Sequence, residues 1–304
     1  MSIYLISYKM ECTIKLKRSV NSERIRDEMD RKQRNGVPKK IITILCICMV
    51  LFGFFWYENH HLVVTTYTYQ DEKVDDNLAG YRIVQISDLH NAKFGQDNKN
   101  LLVKISELQP DMIVITGDLV DSNHTDIRTS VDFVKQAVKI SDVYYVTGNH
   151  EYWLTNQERI ELLEGIENAG AVVLSNESVD ISYGGSEFTL IGLEDNSLAD
   201  DTLNALVKEV SDDQLCVLLA HEPQYYMNYA NAGVDMVFSG HAHGGQFILP
   251  FIGPLVAPDQ GFCPQFTSGE HHEKETTMYI SRGLGNSIIP VRLFNNPEIV
   301  CVDF

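Results

Sequence analysis

Basic residues are scarce over most of this chain. Beyond residue 40 there are thirteen Lys/Arg against 37 Asp/Glu. No basic face is available to follow a polynucleotide backbone, so a nucleic-acid scaffold role is not expected. The six cysteines contain no C-x-x-C and no regular spacing. That excludes a disulfide framework or a zinc ribbon and leaves buried thiols as the expectation. Internal repeats and low-complexity tracts are also absent. What remains is an ordinary globular composition, 44% hydrophobic, in an acidic body compatible with divalent cations.

The charge is unevenly placed. Residues 1–40 hold eleven Lys/Arg and five Asp/Glu. The uncharged run "IITILCICMVLFGFFWY", residues 41–57, follows directly. It is at the short end of what spans a bilayer, roughly 17–25 residues. A buried core helix or a signal-peptide core would read alike. Three features favour an uncleaved anchor. Lys39 and Lys40 precede the run, Trp56 and Tyr57 stand where an interfacial aromatic belt would, and no small-x-small cleavage site follows. The expected organisation is a basic cytoplasmic leader (1–40), a transmembrane signal anchor (41–57), a linker with a first strand (58–80) and an extracytoplasmic main domain (81–304).

From Tyr81 onward, apolar strands alternate with amphipathic helices. "RIVQIS", "DMIVIT", "VYYVT", "LCVLLA" and "VDMVFS" read as buried strands. "NKNLLVKISELQ", "DIRTSVDFVKQAVKI", "NQERIELLEGIENAG", "TLNALVKEV" and "PQYYMNYANAG" read as helices. A hairpin at Gly184-Gly185 interrupts the rhythm, and the tail "MYISRG", "IPVRLF", "EIVCVDF" reads as strand. The pattern implies α/β layering with a largely parallel start.

In α/β sheets ligands gather just past the carboxyl ends of strands. Those points carry Asp88 and His90, Asp118 and Asp121, Asn149 and His150, His221, and His241 and His243. Asp88 alone could cap a helix, and His221 alone could be a satisfied core histidine. Polar residues of metal-binding or acid/base type at five successive strand ends point to a site. Carboxylates and imidazoles suit divalent Mn, Fe, Zn or Mg. Two such ions sharing a carboxylate would activate a bridging hydroxide and clamp phosphoryl oxygens.

The ordered motifs "DLH", "GDLVD", "GNHE", "AHEP" and "GHAH" resemble those of the calcineurin-like metallophosphoesterases over residues 81–245. "GHAHGGQ" and "SRGLGNSIIPVRLFNNPEI" are similar to a bacterial branch of membrane-associated phosphodiesterases related to UDP-2,3-diacylglucosamine hydrolases. The resemblance implies a two-sheet sandwich flanked by helices. It implies that Asp88, His90 and His243 hold one metal, Asn149, His221 and His241 the other, and that Asp118 bridges. His150 would be the catalytic acid and Asp121 would orient its ring. The expected activity is hydrolysis of a phosphodiester, phosphomonoester or pyrophosphate, with a lipid-linked substrate within its scope. The alternative is a metal-binding scaffold of the same fold without catalysis.

Two further expectations come from the residues themselves. Arg282 or Arg292, in the terminal strands of a base-poor body, would grip a second phosphate, unless both form surface ion pairs. The loop "FILPFIGPLVAPDQGF", residues 247–262, is apolar and proline-broken. It would either touch lipid or fold back over the domain's own core.

Overall fold

A computed structural model of the chain describes residues 17–30, 38–195, 201–287 and 289–304. Most of the leader expected over 1–40 lies outside the described residues. Two compact units are present, Met1–Phe54 and Phe55–Phe304. Residues 17–30 are helical. Helix α1, Lys39–His60, begins directly after Pro38, which cannot donate a backbone hydrogen bond and so suits a helix start. Its 22 residues are roughly 33 Å long at the usual rise. It is long and apolar enough to cross a membrane, and almost none of its apolar surface is covered.

The second unit holds two six-stranded sheets. The first contains β1 (Val63–Thr68), β2 (Arg82–Ile86), β3 (Met112–Thr116), β4 (Asp142–Val146), β5 (Val172–Val173) and β16 (Glu298–Asp303). Its spatial order is β1-β16-β2-β3-β4-β5, and every pairing is parallel except β16 with β2. The second sheet contains β6 (Glu177–Tyr183), β7 (Ser186–Leu193), β8 (Leu215–Ala220), β9 (Met236–Ser239), β14 (Gly269–Glu273) and β15 (Thr276–Ile280). Its order is β14-β15-β9-β8-β7-β6, with parallel pairing from β15 to β7 and an antiparallel hairpin at each edge.

Period-two alternation sorts the side chains of each strand between two faces. In β2, Val84 and Ile86 face outward onto helices α2 (Lys99–Glu107), α3 (Ile127–Ala137) and α5 (Asn156–Ala169), against Leu101, Phe133 and Leu162. Ile83 faces inward with Met112 and Val114, against Leu190, Val217 and Phe238 of the other sheet. On that sheet's outer face, Leu218 and Val237 pack on Leu203 of α6 (Thr202–Val207) and Tyr229 of α7 (Tyr226–Ala232). Local signals set the helix ends. Asp126 caps α3 by accepting from the Thr129 amide, and Thr155 forms a capping box with Glu158 at α5. The architecture is the expected two-sheet sandwich flanked by helices.

One expectation for the tail needs correction. "IPVRLF" is irregular, with no strand of its own and an isolated β-bridge, Phe247–Leu293. Pro290 has no amide hydrogen, and the Arg292 amide is drawn to the Asn59 side chain instead of a ladder. "GEHHE", which the sequence reading does not single out, forms edge strand β14 despite its polarity, because one face is open to solvent. The loop over 247–262 folds into two minimal hairpins, β10 (Ile248–Leu249) with β11 (Gly253–Pro254) and β12 (Val256–Ala257) with β13 (Gly261–Phe262).

The sheets approach closely at Gly192 of β7. A Cβ there would collide with the Leu174 side chain and lie 2.9 Å from Val146 Cγ1. Gly192→Ala is expected to cost about 1–3 kcal/mol by overpacking. Thermal unfolding should shift down by roughly 2–4 °C per kcal/mol lost. An unchanged midpoint would mean that the sheets part there without cost.

Candidate metal centre

The parallel strands of both sheets deliver their carboxyl ends to one region. Asp88 and His90 follow β2, Asp118 follows β3, and Asn149 and His150 begin the short helix α4 (Asn149–Trp153) after β4. From the second sheet, His221 follows β8, and His241 and His243 follow β9. All of these are buried except Asn149, which is partly so. Asp88, His90, Asp118 and His243 bring one ligand atom each within 4.8 Å of one another, and so do Asp118, His221 and His241. Asn149 Oδ1 joins the second group, 2.8 Å from His241 Nδ1 and 3.1 Å from His221 Nε2. Asp118 Oδ2 lies 3.5 Å from His90 Nε2 and 3.3 Å from His221 Nε2, so one carboxylate serves both groups.

Backbone geometry aims these side chains. Asp88, His90, Asp118, His241 and His243 all have left-handed φ, between 46° and 64°. Such residues turn their side chains back across the strand end at a conformational cost, of a kind that clusters at functional sites. Gly240 is required for close approach, since a Cβ there would strike Ser87 Oγ and Asp88 Oδ2. The His241 amide donates to Asp88 Oδ1 at 3.0 Å, tying the two sheets together across the site.

The donor set fits divalent ions. His221 Nδ1 lies 2.7 Å from the Thr116 carbonyl, which can only accept. Its proton therefore sits on Nδ1, and the Nε2 lone pair faces the cluster. His241 is fixed in the opposite sense, with Nε2 2.9 Å from Asp259 Oδ2 and Nδ1 turned inward. An outer carboxylate or carbonyl of this kind orients a metal-binding imidazole. Burial drives His90 down to about 3 and also lowers His241 and His243, keeping their lone pairs available. His221 is the exception. Burial opposes its charge, but Asp118 outweighs that and raises it, while His221, His90 and His150 hold the Asp118 carboxyl well below its usual range. A cation at this point would take the place of that proton.

His150 stands beside the cluster, its ring centroid 4.4 Å from that of His90. The Ser122 amide donates to His150 Nδ1 at 3.1 Å, so the neutral ring carries its proton on Nε2. Asp121 Oδ1 is 3.6 Å from Nδ1, beyond hydrogen-bond length. The ring is thus oriented by Ser122, with Asp121 as a nearby charge. Ser287 Oγ lies 3.1 Å from Nε2.

The structure corrects the expectation for the two arginines. Arg292 is fully buried, donating to the carbonyls of Arg282 and Gly285 and to Asn286 Oδ1, with Nη2 3.5 Å from His243 Nδ1. Arg282 is paired with Glu298 at 2.8 Å. Both guanidinium groups are committed to holding the chain and not to an open anion site. Sequence reasoning also missed Asp259, Ser122 and Ser287, and it gave Glu151 of "GNHE" no role. The Glu151 carboxylate accepts from the amides of Gly148, Asp118, Leu119 and Val120, which fixes the two loops that carry Asp118 and Asn149. The one signal available was a Glu three residues after Gly148, where its carboxylate can accept from the amide at the helix start.

A sequence model described as calcineurin-like phosphoesterase matches residues 81–245. The uncharacterized metallophosphoesterase YkuE of Bacillus subtilis is 29% identical over 254 residues, covering 82% of this chain and 87% of that protein. A transmembrane protein with metallophosphoesterase domain from Danio rerio is 30% identical over 250 residues, 75% of this chain and 54% of its own length. The chain thus spans about half of that relative. Among solved structures, a dimetal phosphatase from Danio rerio superposes with a TM-score of 0.45 at 12% identity, covering 68% of this chain and 88% of that one.

Glu151→Gln would turn an NH₂ group toward amides that can only donate. It is expected to destabilise the protein by about 1–3 kcal/mol through unsatisfied buried donors. Bound metal should fall with it, read by elemental analysis beside a melting curve. Unchanged values in both would show that the two loops hold without this acceptor.

Proposed function

The chain belongs to the calcineurin-like phosphoesterase family, and on that premise we propose that it is a dimetal phosphodiesterase working at a membrane. The single observation that carries this is the shared Asp118 carboxylate between two convergent sets of imidazole and carbonyl ligands. On this reading Asp88, His90 and His243 hold one divalent ion, Asn149, His221 and His241 the other, and Asp118 both. When bound, the ions supply Lewis acidity and lower the pKa of the attacking water.

The protein's own groups do the remaining work. Thr116 and Asp259 fix the tautomers of His221 and His241. His150 acts in its imidazolium form, with Nδ1–H turned to Ser122 Oγ, and donates its Nε2 proton to the leaving oxygen, returning to the neutral ring. Asp121, which hydrogen bonding from the Asn123 amide and His124 keeps ionised against partial burial, balances the imidazolium charge. The placement among membrane-associated phosphodiesterases related to UDP-2,3-diacylglucosamine hydrolases, and with it a lipid-linked substrate, rests on "GHAHGGQ" and the "SRGLGNSIIPVRLFNNPEI" tail. The outward orientation of the domain rests on the Lys/Arg bias before α1.

The test is a turnover panel on the full chain in detergent, reconstituted with each candidate metal, comparing an aryl monoester, an aryl diester and a lipid-linked nucleotide. Preferred diester cleavage supports the reading. Two bound metals without turnover of any substrate would favour the non-catalytic scaffold. Asp118→Asn is expected to weaken metal binding by more than roughly tenfold, beyond the loss typical of an outer-sphere change. His150→Asn should keep both metals and lose about 10²–10⁴-fold in kcat on alkoxide leaving groups. That loss should shrink for nitrophenolate, which departs without a proton. An equal loss for both leaving groups would remove the acid role.

A further inference from the structure

The loop expected either to touch lipid or to cover the core does not cover the core at its tips. Phe251 is fully exposed at the turn between β10 and β11, and Ile252 and Phe262 are largely so. Ile289 and Phe294, also exposed, flank the same region. Phe251 moreover adopts a left-handed φ of 68°. A bulky residue in that conformation with no covering contact is an outlier that calls for a use outside the fold.

Hydrogen bonds place this rim beside the end of α1. Asn59 Oδ1 accepts from the Arg292 amide at 3.0 Å, and Glu58 Oε2 accepts from the Asn295 amide at 3.1 Å. On the other side of this segment, Leu293 bridges Phe247, and the Ile248 amide donates to the Leu293 carbonyl. The Leu255 amide donates to the Phe247 carbonyl and the Cys263 amide to the Leu255 carbonyl, which brings Phe262 to the same end. Segment 289–295 is thus flanked by the foot of the apolar helix and by the hairpins. Only His61 and Leu62 separate α1 from β1.

Charge is consistent with the same partner. Over 246–263 the only charged residue is Asp259, which is engaged with His241, and over 289–295 the only one is buried Arg292. In so acidic a body, an uncharged aromatic rim is suited to the apolar boundary of a bilayer.

We propose that Phe251, Ile252, Phe262, Ile289 and Phe294 bed in the membrane that α1 enters. The metal centre then opens at the membrane–water boundary, because the segment that carries the rim also carries Asp259, and Asn295 donates to the His243 carbonyl.

The test uses the full chain in phosphatidylcholine vesicles, with p-benzoylphenylalanine introduced at position 251, 262 or, as a control, 183. Tyr183 is exposed on the β6–β7 hairpin, on a different part of the domain. Irradiation followed by mass spectrometry of the intact protein is expected to show phosphatidylcholine adducts at 251 and 262 and none at 183. No lipid adduct at 251 and 262, equal labelling at 183, or adducts to a second copy of the chain would each overturn the proposal. The readout needs no turnover, so it stands or falls separately from the assignment of phosphodiesterase activity. As a second arm, the triple variant Phe251→Ser, Ile252→Ser, Phe262→Ser should retain its melting temperature and its turnover of a soluble aryl diester. A drop of several degrees would show these side chains to be core and would overturn the membrane assignment.

Discussion

One carboxylate sets the terms for the rest of the domain. Asp118 lies 3.5 Å from an imidazole at the end of the first sheet and 3.3 Å from one at the end of the second. Both sheets must therefore end at the same level and face each other closely. The parallel order within each sheet meets the first demand by stacking carboxyl ends side by side. Gly192 and Gly240 help meet the second by leaving no side chain where the layers converge. Beneath the site, the Gln85 amide donates to Thr116 Oγ1 in its own sheet and to the Ser239 carbonyl in the other. That buried polar link holds the distance between layers that the carboxylate needs.

Much of this was legible in the sequence because it depends on local periodicity. Buried parallel strands read as unbroken apolar runs, and the first residue after each run that is not glycine is the one that reaches the site. The strand ends therefore pointed to Asp88, Asp118, Asn149, His221 and His241 without any knowledge of packing. The family resemblance divided them between two ions, and the structure brings the same residues together in two groups sharing Asp118.

Partners brought from afar were not legible. Asp259 lies in a proline-broken loop and reaches His241 only because two small hairpins fold it back. Ser287 meets His150 across 137 residues of chain. A guanidinium in a terminal segment looks the same in sequence whether it faces solvent or is buried, so the sequence offers Arg282 or Arg292 as a phosphate contact or a surface ion pair, whereas Arg292 is turned inward onto backbone carbonyls. "IPVRLF" has strand composition, but its Arg292 amide is claimed by the foot of α1 and its Leu293 carbonyl by the Ile248 amide of a hairpin, and long-range demands of that kind override propensity.

The left-handed backbone at Asp88, His90, Asp118, His241 and His243 bears on how this gene can drift. A side chain in that conformation costs roughly 1–2 kcal/mol relative to glycine, less for Asp and Asn. Most random changes in a folded protein lower stability. At His90, His241 and His243 the replacement by glycine would instead release strain and remove a buried imidazole. Selection for folding alone would erode these positions first, so a lineage freed from the need for catalysis would become sturdier as it lost its ligands. A chain that still carries all of them is one in which some pressure other than stability keeps the strained residues in place.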